Sequence, residues 1–310
     1  MTLVSLAGGG AAARDRYLPP LRREVAALLP GARVEWEAEP AEVDWLVLGD
    51  VSDAPDLAAY GRARAVLSVW AGIEAVLRLD PPQPLVRLVD PEGLTAGMTE
   101  WVAGHVLRHH LGLDRWTGAA HPGWVQEVPP LARDRRVGLI GLGELGAAAA
   151  RALAGLGFDV AGWSRTAKDL PGIDAHVGPE GLRAVIARSD ILVLLVPHTQ
   201  ATEGLMDAER LGWMPEGSVL LNPGRGALVD EDALLAALAR GRPAHATLDT
   251  FRTEPLPEGH PFWTHPQVTV TPHIASATRP ETAARAVAAN IARGERGEPL
   301  VGLVDRARGY

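Results

Sequence analysis

Three side chains with catalytic potential follow apolar segments in the second half of the chain. Arg225 stands between two glycines, Glu254 precedes a proline, and His273 follows one. A guanidinium group binds a carboxylate through two parallel, charge-assisted hydrogen bonds. An imidazole can donate a proton near neutral pH, and a neighbouring carboxylate raises its pKa and orients the ring. Each residue alone is more often structural, but together they favour proton transfer to a bound anion.

A glycine turn precedes these residues in the chain. The apolar run Val137–Ile140 leads into GLGELG, which is followed by an alanine-rich helical segment and a second apolar run that ends at Trp163. Strand, glycine turn, helix and strand form the context in which G-x-G-x-x-G indicates dinucleotide binding. The glycines permit a tight turn, close approach of a pyrophosphate, and close packing of the helix on the sheet. We therefore expect the pyrophosphate at the first turn of the helix, on Gly141, Gly143, Glu144, Leu145 and Gly146.

The residues after the second strand indicate which dinucleotide binds. An NAD-specific unit has an acidic residue there, which binds the ribose 2′-hydroxyl. This chain instead has Ser164 and Arg165, with Thr166 and Lys168 nearby. No carboxylate is present to repel a 2′-phosphate, and Arg165 can neutralise one. We predict NADP(H) as the preferred cofactor and NAD(H) as the alternative.

Composition excludes several classes of partner. The 310 residues are 47% apolar and 22% charged, with a net charge of −8 and no basic run, so neither nucleic acid nor an anionic membrane is an expected partner. Cysteine is absent, which excludes disulfides and thiolate chemistry and fits a reducing compartment. No signal peptide or apolar run of about 20 residues occurs. We expect a cytoplasmic protein.

Short strand-like segments alternate with helical ones in residues 1–90 and again in 135–278, which predicts parallel sheets covered by helices. The run Ile191–Val196 is continuously apolar, as in a strand buried on both faces. The predicted fold class is α/β, with a Rossmann-type doubly wound parallel sheet inserted into a smaller flavodoxin-like α/β substrate domain. Residues 1–97 and 280–310 are assigned to the substrate-binding domain, and 98–279 to the dinucleotide-binding domain. The three catalytic candidates then lie at carboxyl ends of strands, where ligands bind in such sheets.

Two helices carry further expectations. The first is predicted to begin near Pro19-Pro20 and to end at Pro30-Gly31. The second, Leu94 to Trp116, places His105 and His109 one turn apart, a spacing that zinc could use. No third ligand and no general-base glutamate accompany them, so a packed or solvated face is favoured and no metal is expected. Residues 121–130 are expected to form a connecting loop.

Four stretches resemble the D-isomer-specific 2-hydroxyacid dehydrogenases: GLGELG, NPGRGALVDEDALLAAL, LDTFRTEPLP and TPHIASAT. The resemblance covers about residues 60–310. WSRTAKDLPGI and GEPLVGLVDRARGY are similar to the branch of that family that reduces glyoxylate and hydroxypyruvate. The resemblance implies NADPH-dependent reduction of a small 2-oxo acid to the D-2-hydroxy acid, and a homodimer formed through an arm around residues 100–130.

The same resemblance implies roles for individual residues. Arg225 would bind the substrate carboxylate, and His273 would protonate the keto oxygen as hydride arrives, with Glu254 orienting the imidazole. Asp249 would contact the nicotinamide carboxamide. The substrate would also meet backbone N–H groups of a turn formed by Trp70, Ala71, Gly72 and Ile73. Further cofactor contacts are expected from Val196, Pro197, Thr202, Asn222, Pro223, Gly224 and His273.

The chain also departs from the family pattern. Pro223-Gly224 replaces the usual small pair before the arginine, and Gly49-Asp50 replaces an aromatic and a proline expected after Trp45. Arg252 adds a second cation, which either binds an anionic substrate or pairs with a surface acid. A non-catalytic NAD(P)H sensor or co-repressor on the same fold is the alternative function. The intact set of arginine, glutamate and histidine disfavours it.

We predict that Arg165→Ala raises KM for NADPH much more than KM for NADH, because only NADPH carries the 2′-phosphate that the guanidinium would neutralise. Steady-state kinetics with each cofactor measure both constants. Equal effects on the two cofactors would contradict the assignment of Arg165.

Overall fold

A computed structural model describes residues 1–117 and 123–309. The chain divides into two compact units, which are Met1–Leu94 together with Thr278–Tyr310 (unit 1) and Thr95–Ala277 (unit 2). Unit 2 is therefore an insertion in unit 1. The domain boundaries assigned from the sequence, after residue 97 and after residue 279, lie a few residues later in the chain than these. The assignment of substrate binding to unit 1 stays a prediction. Of the loop expected over 121–130, the first two residues lie outside the described part.

Unit 1 contains a five-stranded parallel sheet with strand order β2-β1-β3-β4-β5, the flavodoxin-like order. Its strands are β1 (Leu3–Ala7), β2 (Arg33–Trp36), β3 (Trp45–Leu48), β4 (Val66–Ser68) and β5 (Leu85–Val86). Its helices are α1 (Gly10–Leu28), α2 (Glu74–Leu77) and, near the end of the chain, α8 (Pro280–Glu295). The prediction of a small flavodoxin-like unit is confirmed.

The predicted start of the first helix is wrong. α1 begins at Gly10, with the left-handed Gly9 as N-cap (φ 88°), and continues through Pro19 and Pro20. Its buried face, which includes Tyr17 and Val25, packs in one apolar cluster with alanine, valine and isoleucine side chains of α8. Prolines in a helix interior remove backbone hydrogen bonds. Tertiary burial of the amphipathic face outweighs that loss here.

Unit 2 contains a seven-stranded, fully parallel sheet with strand order β12-β11-β10-β9-β6-β7-β8. Its strands are β6 (Arg136–Ile140), β7 (Asp159–Trp163), β8 (Asp174–His176), β9 (Ile191–Leu194), β10 (Val219–Asn222), β11 (His245–Leu248) and β12 (Val268–Val270). Its helices are α3 (Ala96–Leu111), α4 (Glu144–Gly155), α5 (Gly178–Arg188), α6 (Ala208–Trp213) and α7 (Glu231–Leu238). The strand order reverses between β6 and β9, which is where a doubly wound sheet binds its ligand. The Rossmann-type prediction is confirmed.

The predicted long helix is divided into three parts. A π-helical turn, Pro91–Thr95, precedes α3, and a left-handed Gly112 (φ 62°) ends α3 before a short 3-10 helix, Leu113–Trp116. His109 packs inward, since its Nε2 lies 2.9 Å from Thr247 Oγ1 in β11, and the His105 ring lies 4.3 Å from that of Trp101, one turn earlier in α3. Within the described residues, no group of three or more histidines and carboxylates could hold a metal ion.

No helix in the described part of the chain is both long and apolar enough to cross a membrane.

Candidate active site

The glycine turn between β6 and α4 has the geometry that a pyrophosphate requires. Gly141 has φ 113°, and a Cβ there would lie 2.5 Å from the carbonyl oxygen of Leu195. A Cβ on Gly146 would lie 1.8 Å from the carbonyl oxygen of Gly141. Both positions therefore exclude any larger residue. A Cβ on Gly143 would meet no described atom within 4 Å, so this glycine leaves an open approach to the backbone.

The N-terminus of α4 offers donors to that open face. Gly143 is its N-cap, so no side chain caps the helix, and the N–H groups of Glu144, Leu145 and Gly146 begin its first turn. Uncapped N–H groups and the positive end of the helix dipole bind phosphate. The turn and the helix together fit a dinucleotide.

The loop after β7 is shaped by hydrogen bonds at Ser164. Its side chain is buried, and its Oγ donates to the carbonyl oxygen of Thr166 (2.6 Å). Its backbone N–H donates to His176 O in β8 (3.0 Å), a strand that the sequence did not predict because three residues show no clear alternation. Arg165, Thr166 and Lys168 are exposed. No carboxylate occurs between Ser164 and Lys168, so the loop fits a 2′-phosphate better than a free 2′-hydroxyl.

The loop after β9 carries three residues expected to contact the cofactor. Val196 is buried, and Thr202 Oγ1 donates to the carbonyl oxygen of Pro197 (2.7 Å). Thr199 N–H donates to Thr202 Oγ1 (2.8 Å). These bonds make the loop a compact turn at the same sheet edge as the glycine turn.

The loop after β10, which contains Pro223-Gly224, is shaped by hydrogen bonds of the Asn222 side chain. The buried Asn222 side chain donates from Nδ2 to Arg225 O (2.9 Å) and accepts at Oδ1 from Gly224 N–H (3.2 Å). A Cβ on Gly224 would lie 2.9 Å from the carbonyl oxygen of Leu194. The turn is therefore held by Asn222 and requires glycine at 224.

Gly226 brings this loop against the loop after β11, a contact that the sequence did not reveal. A Cβ on Gly226 would lie 1.9 Å from the carbonyl carbon of Phe251. Phe251 N–H in turn donates to Glu254 Oε1 (2.9 Å). The glycine after Arg225 was the only signal in the sequence, and its partner is 25 residues away, so spacing alone could not identify the contact.

Glu254 and His273 form a hydrogen-bonded pair. Glu254 Oε2 lies 2.7 Å from His273 Nδ1, and the side chains are 34% and 53% exposed. The hydrogen bond and charge of Glu254 raise the pKa of His273 above its ordinary value, against the opposing effects of burial and Arg225. Burial alone would raise the pKa of Glu254, but hydrogen bonds from His273 and Phe251 N–H lower it overall. The pair therefore favours a carboxylate beside an imidazolium near neutral pH.

Arg225 lies close to this pair. Its guanidinium donates from one terminal nitrogen to Gly224 O (2.8 Å), and its positive charge lowers the pKa of both Glu254 and His273. The structure thus brings together the three residues that the sequence singled out. A cation beside a proton donor suits an anion that carries a basic oxygen.

The backbone of His273 is strained. Its φ of 53° lies in the left-handed region, which costs a non-glycine residue about 1 kcal/mol or more. Its N–H donates to Asp249 O (2.8 Å). The Asp249 carboxylate is fully buried and accepts hydrogen bonds from Thr271 Oγ1, Ile274 N–H and Ala275 N–H. Contact of Asp249 with a nicotinamide stays a prediction, and these three donors are partners that sequence reasoning missed.

Arg252 is bonded to two acids, Glu203 and Glu231. Its guanidinium lies 2.9 Å from Glu203 Oε1, and its backbone N–H donates to Glu231 Oε1 (3.1 Å). Its Nε donates to the carbonyl oxygen of Val229 (3.2 Å). Of the two alternatives for this residue, pairing with a surface acid is the one that the structure contains.

The turn predicted to bind substrate in unit 1 follows β4. Trp70 is held by hydrogen bonds from its indole N–H to Gly49 O (2.8 Å) and from its backbone N–H to Ser68 Oγ (3.0 Å). Within the described residues, the backbone N–H groups of Ala71, Gly72 and Ile73 donate to no acceptor. Three successive free N–H groups can bind an anion.

Comparison with known proteins identifies the family. A model of the NAD-binding domain of D-isomer specific 2-hydroxyacid dehydrogenases matches residues 103–275. The glyoxylate/hydroxypyruvate reductase A of Salmonella typhi is 39% identical over 295 residues, which cover 91% of this chain and 93% of the relative. The chain belongs to the D-isomer specific 2-hydroxyacid dehydrogenase family.

Two crystal structures of related dehydrogenases cover the whole of this chain. One is a D-isomer specific 2-hydroxyacid dehydrogenase from Xanthobacter autotrophicus Py2 in complex with NADPH and MES, with 39% identity, a TM-score of 0.90 and 99% of its own chain covered. The other is an NADPH-dependent glyoxylate/hydroxypyruvate reductase from Sinorhizobium meliloti in complex with NADP and sulfate, with 33% identity, a TM-score of 0.84 and 100% coverage.

For this dehydrogenase we predict that Glu254→Gln lowers the pKa of His273, because the amide removes the negative charge that stabilises the imidazolium. NMR titration of the histidine ring protons measures this pKa directly. Glu203→Gln is the matched control, since Glu203 pairs with a different histidine, His198. An unchanged His273 titration in Glu254→Gln would contradict the coupling.

Proposed function

We propose that this chain reduces a small 2-oxo acid, such as glyoxylate or hydroxypyruvate, to the D-2-hydroxy acid with NADPH. The observation that carries the proposal is the pair of Glu254 and His273 beside Arg225. All three lie in the unit that contains the glycine turn. The named relatives, which include a glyoxylate/hydroxypyruvate reductase A and an NADPH-dependent reductase, support the same reaction.

The cofactor is proposed to bind along the carboxyl edge of the larger sheet. When bound, NADPH supplies the hydride for reduction of the carbonyl carbon. The turn from Gly141 to Gly146 and the first N–H groups of α4 would bind its pyrophosphate. Arg165, Thr166 and Lys168, which are exposed, would bind its 2′-phosphate, because they supply two cations and a hydroxyl. Ser164, whose Oγ and N–H already donate within the protein, would shape the loop that presents them. The loops containing Val196, Pro197, Thr202 and Asn222–Gly224 would line the remainder of the groove.

His273 is proposed to give its proton to the keto oxygen. Only the imidazolium form can do so, and Glu254 raises the pKa of this group, so more of it is protonated at neutral pH. The rate of reduction should fall as pH rises through the pKa of His273, since the donor is then neutral. Arg225 would bind the substrate carboxylate and polarise the carbonyl through its fork of N–H donors.

The substrate carboxylate is also proposed to meet the free N–H groups of Ala71, Gly72 and Ile73. These groups have no acceptor within the described residues, and anions bind well to successive backbone N–H groups. A short acid, whose carboxylate forms much of its surface, gains most from such contacts. The turn in unit 1 is therefore suited to a carboxylate.

The alternative, a non-catalytic NAD(P)H sensor or co-repressor, requires only the cofactor site. It gives no reason for a carboxylate to raise the pKa of a half-exposed histidine beside an arginine. The proton-donating pair therefore favours the enzyme.

A turnover panel tests the proposal. We expect NADPH to be oxidised with glyoxylate or hydroxypyruvate faster than with pyruvate or a bulky 2-oxo acid, and NADPH to be preferred to NADH. Arg225→Lys should lower kcat/KM by about 100-fold, because a lysine cannot form the two parallel bonds. His273→Ala should lower kcat by about 100-fold or more while cofactor binding persists.

Arg252→Lys is the matched control for Arg225→Lys, because Arg252 is paired with Glu203, and it should turn over at about the wild-type rate. If the wild-type protein turns over no 2-oxo acid with either cofactor, the enzyme proposal fails.

We also propose that the protein acts in the cytoplasm as a homodimer whose contact includes the segment after α3. Large apolar side chains are exposed at the end of α3 and in the segment that follows it: Leu111, Leu113, Trp124, Val128 and Leu131. Exposed apolar side chains favour association where they form one surface. Light scattering should give twice the chain mass, and Trp124→Asp with Val128→Asp should lower it. A monomeric wild-type chain would contradict the dimer, and cell fractionation tests the location.

A further inference from the structure

Asp249, fully buried at the end of β11, is the centre of a hydrogen-bond network behind the catalytic histidine. Its Oδ1 accepts from Thr271 Oγ1 (2.5 Å) and from Ile274 N–H (2.9 Å), and its Oδ2 accepts from Ala275 N–H (2.9 Å). Its carbonyl oxygen accepts from His273 N–H (2.8 Å). One residue thus binds three successive N–H groups of the loop, at 273, 274 and 275.

This network acts where the backbone is strained. His273 is one of three described non-glycine residues with positive φ. Such a conformation persists only where the surroundings determine it. The bonds to Asp249 lie on both sides of the Cα of His273, since they use its own N–H and those of the next two residues. The imidazole of the same residue meets Glu254, so release of the loop would change the distance between Nδ1 and Oε2.

The Thr271 hydroxyl is directed by Trp101 in α3. The indole Nε1 of Trp101 donates to Thr271 Oγ1 (3.3 Å). A hydroxyl can rotate its hydrogen to suit its neighbours. Because one lone pair of Oγ1 accepts from the indole, the hydroxyl hydrogen is left to donate to Asp249. The Trp101 ring itself packs against His105, whose centroid lies 4.3 Å away.

We propose that Thr271 and Trp101 are positioning residues for His273. They orient the Asp249 carboxylate, which holds residues 273–275 in the conformation that places the imidazole on Glu254. The proposal rests on the proposed function for its kinetic consequence, but its geometric consequence, the contact between His273 and Glu254, can be measured without substrate. Misplacement of a catalytic group by a fraction of an ångström lowers its rate.

The test uses three substitutions in β12 and its loop. Thr271→Val keeps the shape of the side chain and removes the hydroxyl, whereas Thr271→Ser keeps the hydroxyl. Thr269→Val is the matched control, since it removes a threonine hydroxyl two residues earlier, where it contacts Arg108 and His245. We expect Thr271→Val to lower kcat by about tenfold or more and to change KM for NADPH by less than about twofold. Thr271→Ser should restore the rate, and Thr269→Val should leave it unchanged.

NMR titration of His273 gives the second measurement. In Thr271→Val the pKa of His273 should fall toward its ordinary value, because the imidazole moves away from Glu254, and Thr271→Ser should restore it. Trp101→Phe keeps the ring beside His105 but removes the N–H donor, so it should shift the titration in the same direction by less. Thermal unfolding shows whether Thr271→Val folds. If it does not, the His273 titration in Trp101→Phe tests the proposal instead.

Two results overturn the proposal. The first is a pKa of His273 in folded Thr271→Val that equals the wild-type value. If that variant does not fold, the same result in Trp101→Phe overturns the proposal. The other is an equal loss of kcat in Thr269→Val, which would indicate a general effect of hydroxyl loss on β12. Absence of turnover in the wild-type protein would refute the proposed function and leave the titrations to decide the positioning role.

Discussion

The candidate site depends on the parallel pairing of the strands in the larger sheet. Because all seven strands run in one direction, the residues that follow them meet at a single edge, although they are separated by up to about 130 positions in the chain. The glycine turn, the phosphate loop, Arg225, Glu254 and His273 each follow a different strand. No local interaction could bring them together, and the backbone ladders of the buried strands hold them at fixed spacing.

The contacts between adjacent loops then refine that placement. Asp249 N–H donates to Asn222 O, and His273 N–H donates to Asp249 O, so backbone bonds connect the loops after β10, β11 and β12 in series. The close approach of Gly226 to Phe251 adds a steric constraint between the first two loops. The ion pair of Glu254 and His273 is half exposed, and such pairs contribute little to stability. The pair matters for proton transfer, because Glu254 raises the pKa of His273. The backbone hydrogen bonds between the loops keep the two residues in place.

The parts of the fold and of the candidate site that depend on short sequence patterns could be predicted from the sequence. The glycine turn and the continuously apolar β9 identify the sheet, and Arg225, Glu254 and His273 are recognisable at strand ends. Features that depend on contacts between distant parts of the chain could not be predicted from the sequence. The start of α1 is determined by packing against α8, not by its two prolines. Likewise, β8 is too short to show a period, and the choice of Glu203 as partner for Arg252 depends on the spacing of separate loops.

The division of the chain also bears on how the protein is made. Unit 2 is one continuous segment, whereas unit 1 consists of an N-terminal part and the final residues that include α8. Since chains emerge from the ribosome from the N-terminus, the apolar face of α1 lacks its α8 partner until the whole of unit 2 has been made. The inserted unit can fold first, although its residues are made second. Biosynthesis therefore completes unit 1 after unit 2, and during that interval the uncovered apolar face of α1 is exposed to aggregation.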